Sequence, residues 1–255
     1  MRMSVQVLTE LDEFDRAFAG NRLLSTFQRD VRALLEPFGT VVELAAGDTV
    51  LNRGKPVEVS LFPFESTMIS LVVELSDGRS IEVASIGREG AVGGIVSCGH
   101  APAFSHGRVQ VGGPALKLPL DALEEAKHRS SFVAHIFCRF SDYLLAQVMQ
   151  SVACNAFHSI PARAARWLLT AQDRAGDRIE LTQEALAGLL GVQRTTVNAV
   201  IRELLDERLI TTGRGMVQVV DRAGLTRRAC ECYHVVESHF ADIIGPSGTG
   251  GSPGC

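Results

Sequence analysis

Gln193, Arg194, Thr195, Asn198 and Arg202 fall within a span of ten residues, and every one of these side chains can donate a hydrogen bond while none is acidic. Their spacing puts them on the outer side of a helix whose inner side holds Val197, Val200, Ile201 and Leu204. A donor-rich, acid-free helix face suits acceptor edges set between rows of negative charge, because amide and guanidinium groups can engage two acceptors at once. Thr196 belongs to the same contact set. Thr182, upstream, is a suitable N-cap for a preceding helix, with Glu184 at the positive end of its dipole. Arg214 sits between Gly213 and Gly215, flanked by two β-compatible runs, Leu209–Thr212 and Met216–Val220. That pattern predicts a hairpin whose tip carries one cation.

Other residues of reactive type are scattered. Of the six cysteines, Cys98, Cys138, Cys154, Cys230, Cys232 and Cys255, no two form a Cys-x-x-Cys pair. Cys230 and Cys232 form a Cys-x-Cys, a weak pattern for zinc or a cluster. All six are expected to be reduced structural or surface thiols, so no metal site is expected. Cys98, His100 and His106 could supply an axial ligand to haem or another metal, against the alternative that both histidines are ordinary surface or core residues. No phosphate-binding loop, nucleophile–base order or pair of catalytic carboxylates stands out, so no enzyme is expected.

The elements that must position these residues follow from composition and period. Hydrophobic residues make up 46% and charged residues 21%, as in ordinary globular domains. No apolar run approaches the roughly 18 residues of a membrane span. The N-terminal MRMSVQVLTELDEFDRAF has acidic residues where a signal peptide would be apolar, which predicts a cytoplasmic protein. The net charge of −4 is uneven: residues 161–228 hold 11 Arg and 8 Asp or Glu, so this part is basic and the remainder acidic. One end of the chain is therefore suited to a polyanion.

Along the chain, Phe14, Phe18, Leu23, Leu24 and Phe27 recur at helical spacing. From Gly39 to about Leu118 the period becomes two, with strands predicted at Thr40–Leu44, Val57–Phe62, Ile69–Leu75 and Arg79–Val83. Asp77-Gly78 predicts a type I′ turn between the last two. After Ser130-Ser131, the residues Phe132, Val133, Ile136, Phe137, Phe140, Leu144, Val148 and Val152 form one long apolar stripe. Its length exceeds what one small domain needs, so Val133, Ile136, Phe137, Phe140, Leu144 and Val148 are the expected interface with a second copy; the alternative is a helix lying wholly on its own barrel. Pro161 predicts a bend. The Gly/Ser/Pro-rich end predicts a flexible tail. The expected organisation is an α+β chain: a β-roll domain with flanking helices at 1–129, a dimerisation helix at 130–159, a winged helix-turn-helix at 160–236 and a tail at 237–255. Leu186, Leu189 and Leu190 would form the inner face of the first helix of that pair, Gly191 the tight turn and Val192 its plug.

The run LTQEALAGLLGVQRTTVNAVIRELLDERLI (181–210), with VVDRAGL after the hairpin, resembles the Crp/Fnr family of bacterial regulators, as does the order of elements over nearly the whole chain. The resemblance implies a jelly-roll, cyclic-nucleotide-binding-like sensory domain and a homodimer on palindromic double-stranded DNA. It also implies contact with RNA polymerase if the protein is an activator. Arg194 stands where the family reads a guanine; Thr195 and Ala199 depart from the cyclic-AMP-responsive members, so the operator sequence should differ. The cyclic-nucleotide pocket of the family needs a carboxylate and an Arg followed by a small hydroxyl residue, but Gly94 (after Gly93) and Ala103-Phe104 occupy those places, with Arg108 nearby as a substitute cation. Cyclic AMP is therefore not expected as effector. With no cysteine before Cys98, nor is the family's iron–sulfur cluster. The other functional class is a protein-interaction adaptor that keeps the fold without specific DNA binding.

Overall fold

A computed structural model of the protein describes residues 13–95 and 99–245. They form two compact units. One contains the chain up to Ile69 together with Ile86–Cys138; the other contains Ser70–Ser85 together with the chain from Arg139 onward. The boundary expected at 129/130 is thus replaced by one inside the long helix, and a hairpin from the middle of the chain groups with the C-terminal half.

In the first unit, helix α1 (13–20), a 3-10 turn (Leu24–Thr26) and α2 (Arg29–Leu35) precede the strands β1 (Thr40–Leu44), β2 (Thr49–Leu51), β3 (Val59–Pro63) and the start of β4 (Met68–Glu74). After β5 (Ser80–Ile86) come β6 (His106–Val111), β7 (Gly113–Pro119) and α3 (Leu120–Arg129). β1, β7 and β3 make one antiparallel sheet, with Val42 opposite Ala115 and Leu61 opposite Lys117. β2 pairs antiparallel with β6. This is the antiparallel roll that the period-two segment predicted. Phe62, Met68, Ile69, Val109, Leu116 and Leu118 fill its interior. Asn21 is buried yet fully used: its amide donates to the carbonyls of Pro63 and Gly90, each at 2.8 Å, and its oxygen accepts from the N–H groups of Leu23 and Leu24. A buried amide satisfied in this way is retained at little penalty and pins the N-terminal helices to the roll.

The second unit contains the β4–β5 hairpin, most of α4 (Ser131–Phe157), α5 (Ile160–Ala175), β8 (Arg178–Glu180), α6 (Gln183–Leu190), α7 (Arg194–Asp206), β9 (Ile210–Gly213), β10 (Met216–Val219), α8 (Arg222–Arg228) and α9 (Cys232–Ile244). β8, β10 and β9 form a small antiparallel sheet. The hairpin turn differs from expectation. Gly78 has φ 83°, but Asp77 is not left-handed, and the N–H groups of Gly78 and Leu75 bond to Leu75 and Arg79 respectively. The connection is a three-residue loop ending in a left-handed glycine, so only one positive φ is required rather than two.

The long helix also departs from expectation. Val133, Ile136, Phe137, Phe140 and Leu144 are buried in the chain's own core and Val148 is half-buried. Phe137 lies 6.2 Å from Phe62 edge to face, and Phe140 stacks beside Tyr143, which meets Phe240 at 5.0 Å. Side chains already removed from water have no further apolar area to offer a second copy. The apolar face left exposed is Leu145, Met149 and Val152, at 55, 64 and 66%. Residues 237–244, expected in the tail, belong to α9, which buries Phe240 and Ile244. The bend expected at Pro161 is present: α4 ends at Phe157, Ser159 is extended and α5 starts with Pro161 in its first turn. Among the described residues, no helix is long and apolar enough to cross a membrane.

Candidate nucleic-acid interface

α6 starts where Thr182 accepts a hydrogen bond from the Ala185 N–H at 3.1 Å, as its N-cap role requires. It ends at Gly191, whose φ of 66° and ψ of 36° are left-handed, a conformation a residue without Cβ adopts freely. Buried Arg163, from α5, donates to the carbonyl of Leu190 at 2.6 Å, satisfying one of the orphan acceptors at that helix end. Leu186, Leu189 and Leu190 pack inward, as do Val197, Val200, Ile201 and Leu204 of α7. Both helices of the pair are therefore set by their own apolar faces and by one buried cation.

On the outer side, Gln193, Arg194, Thr195, Thr196 and Arg202 are exposed. Among the described residues, Arg194 reaches only the exposed carboxylate of Glu184, at 3.8 Å, a surface pair of little strength that a phosphate or base edge can displace. Asn198 is half-buried, and its Oδ1 has no hydrogen-bond partner among the described residues. Thr182 is exposed at the start of the pair, and Arg214 is exposed at the tip of the β9–β10 hairpin, where Gly215 takes φ 68°. Glu203 of α7 and Glu207, just past its end, are held by Arg228 at 3.2 Å each. Six of the eight predicted contact residues thus share the exposed start and outer face of α7, while Thr182 and Arg214 extend the surface to either side.

The residues expected around an effector lie on different segments of the first unit. Gly93 and Gly94 are left-handed; a Cβ on Gly93 would lie 2.3 Å from the Val59 carbonyl oxygen, and one on Gly94 would lie 2.2 Å from a Leu120 methyl. Phe104 is 78% exposed beneath the guanidinium of Arg53, and Arg108 is exposed on β6. Of the haem-ligand set, Cys98 lies outside the described residues. His100 has both ring nitrogens engaged, with the Val57 carbonyl at 3.0 Å and Asp121 at 2.8 Å; the aspartate bond raises its pKa.

One group escaped the sequence reading. Cys154, His158, Cys230 and Cys232 meet in the second unit. Cys230-x-Cys232 and the one-turn spacing of Cys154 and His158 were the available signals, but nothing in the sequence says that the two pairs come together.

The described residues thus combine an antiparallel roll, a long helix and a capped helix-turn-helix followed by a two-stranded wing. A Crp-like helix-turn-helix domain matches residues 162–228. The HTH-type transcriptional regulator Cmr of Mycobacterium tuberculosis (strain CDC 1551 / Oshkosh) is 44% identical over 71 residues, 28% of this chain and 28% of its own length. The structure of FixK2 from Bradyrhizobium japonicum superimposes with a TM-score of 0.64 at 16% identity, over 75% of this chain and 98% of that one. A CRP-family transcriptional regulator from Thermus thermophilus gives 0.58 at 23% identity, over 74% and 96%. Residues 162–228 thus carry a Crp-like helix-turn-helix domain, and the described chain shares its fold with these solved structures.

Proposed function

We propose that the protein is a sequence-specific DNA-binding transcriptional regulator that acts as a homodimer in the cytoplasm and catalyses no reaction. The observation that carries this is the exposed start of α7, where Gln193, Arg194 and Thr195 stand on a helix braced from behind by Arg163 and Gly191. A recognition helix inserts its N-terminal residues into the major groove, where a guanidinium can engage guanine O6 and N7 together. Arg214 on the wing then reaches the phosphate backbone, which positions the module without reading sequence.

The second copy docks through α4. Leu145, Met149, Val152 and Ala156 are exposed and spaced four, three and four apart, which is a heptad seam. Two such helices side by side would set the recognition helices for half-sites about 34 Å apart on a palindrome. RNA polymerase is the further partner if the protein activates. Cyclic AMP is not the effector in this reading. The support is that Leu120 closes on Gly94, where a ribose-binding carboxylate would stand, and that Phe104 projects outward. The engagement of both His100 nitrogens likewise speaks against haem.

Selection of bound fragments from genomic DNA with purified protein and no added ligand tests the proposal. A recovered two-fold-symmetric motif is the expected result, with affinity falling steeply as salt rises. Failure to enrich any sequence, with or without candidate effectors, would point instead to an adaptor with this fold.

A further inference from the structure

Four side chains that the DNA-binding reading does not use converge at the foot of the long helix. Cys154 lies in the last turn of α4, and His158 follows one turn later, its N–H bonded to the Cys154 carbonyl, so both face the same way. Cys230 and Cys232 stand at the junction of α8 and α9 on either side of Glu231. The three sulfurs and a ring nitrogen of His158 all lie within 4.8 Å of one another. Cys154 Sγ is 3.6 Å from Cys230 Sγ, and Cys232 Sγ is 3.3 Å from His158 Nδ1.

These separations are close to the edges of a small tetrahedron. Zinc bonds of about 2.3 Å to sulfur and about 2.0 Å to nitrogen set edges of roughly 3.8 Å between sulfurs and roughly 3.5 Å from sulfur to nitrogen. The surroundings fit the same chemistry. His158 turns its other nitrogen, Nε2, to the carboxylate of Glu231 at 3.2 Å, the outer contact that fixes the tautomer and orientation of a ligating histidine. Gln150 donates its amide to Cys232 Sγ at 3.0 Å, as a thiolate ligand would require. The three cysteines are buried, packed with Ala162, while His158 retains partial exposure through which an ion can enter. A disulfide between Cys154 and Cys230 would use two of these groups and leave the Cys232–His158–Glu231 arrangement without a role.

We propose that Cys154, His158, Cys230 and Cys232 form a tetrahedral site for zinc. The ion joins the end of α4 to the α8–α9 junction, on either side of the bend at Ser159 and of the whole helix-turn-helix. Because all four ligands belong to one unit, binding adds directly to the stability of that unit. The site does not depend on the DNA-binding reading.

The full chain, purified under reducing conditions and stripped of metal, should be titrated with cobalt(II) and its absorption recorded. The expected result is the charge-transfer band of a cobalt–thiolate bond with the intense visible bands of tetrahedral coordination. The signal should saturate at one ion per chain and be displaced by zinc, and protein purified without stripping should contain zinc. Cys230→Ser should lose the tetrahedral signal, whereas Cys138→Ser, which removes an exposed thiol outside the cluster, should keep it. Should Cys230→Ser fail to fold, Glu231→Gln retains all four ligands and should weaken cobalt binding by about 10- to 100-fold. Absence of a tetrahedral thiolate signal in the wild-type chain, an unchanged affinity in Glu231→Gln, or iron and sulfide in the isolated protein would each overturn the assignment.

Discussion

Trp167 donates its indole N–H to the carboxylate of Glu82, at 3.1 Å from one oxygen and 3.3 Å from the other, across 85 residues of sequence. Ser70 donates to the same carboxylate, so the hairpin's two strands and α5 share one half-buried acid. The hairpin also touches the helix-turn-helix: the Gly191 turn packs on Ile81, and Gly188 faces Ser80. Through Glu82 and Ile81, the β4–β5 hairpin becomes part of the unit that holds the helix-turn-helix.

Burial pushes the Glu82 carboxyl above its ordinary value of 4.5, opposed by the Ser70 and Trp167 hydrogen bonds and by the charges of Arg166 and Arg174. A raised acid makes the folded state the tighter proton binder, so its contribution to stability is complete below 4.5 and is lost as pH rises through the raised value. Glu82→Gln, which mimics the protonated form, should melt close to wild type near pH 4.5 and gain on it as pH increases. Parallel melting curves across that range would mean that the carboxylate is compensated in full.

Arg194→Ala should lose about 1–3 kcal/mol of operator affinity and relax discrimination at one base pair, with the chain still folded and dimeric. Arg214→Ala should weaken binding to all sequences alike and flatten its salt dependence. Competition binding against operator and scrambled duplexes separates the two; an Arg194→Ala protein that binds its operator as wild type does would remove the recognition-helix assignment.

The two sides of α4 should respond differently to a charge. Met149→Glu, on the exposed seam, should yield folded monomers with weak DNA binding, measured by sedimentation and circular dichroism. Phe140→Glu buries an unpaired carboxylate and should unfold the chain instead. Folded dimers in the Met149 variant would locate the interface elsewhere.

Thr182→Ala removes the cap of α6 and should destabilise the second unit by about 0.5–2 kcal/mol. Thr182→Ser should restore most of it, as judged from urea midpoints. Equal midpoints for wild type and the alanine variant would show that packing alone holds that helix start.

The helix-turn-helix was legible in the sequence because its determinants are local. Thr182 caps a helix starting one residue later, Gly191 supplies the one left-handed residue at its end, and the inward Val197, Val200, Ile201 and Leu204 leave Arg194 and Arg202 outside by periodicity alone. The alternating strands and the bend at Pro161 follow from equally short-range rules. What depended on distant partners was decided only by the tertiary structure. α4 is apolar on more than one side, and periodicity cannot say that Phe137 meets Phe62 and Tyr143 meets Phe240 while Leu145, Met149 and Val152 are left outside. Asp77-Gly78 is compatible with several turns, and strand register selects among them. Cys154 and Cys230 are 76 residues apart, and only the return of α9 onto the foot of α4 makes them neighbours. Patterns within one element are set by backbone geometry that repeats every few residues. Pairings between elements depend on how whole surfaces fit, and no local rule contains that information.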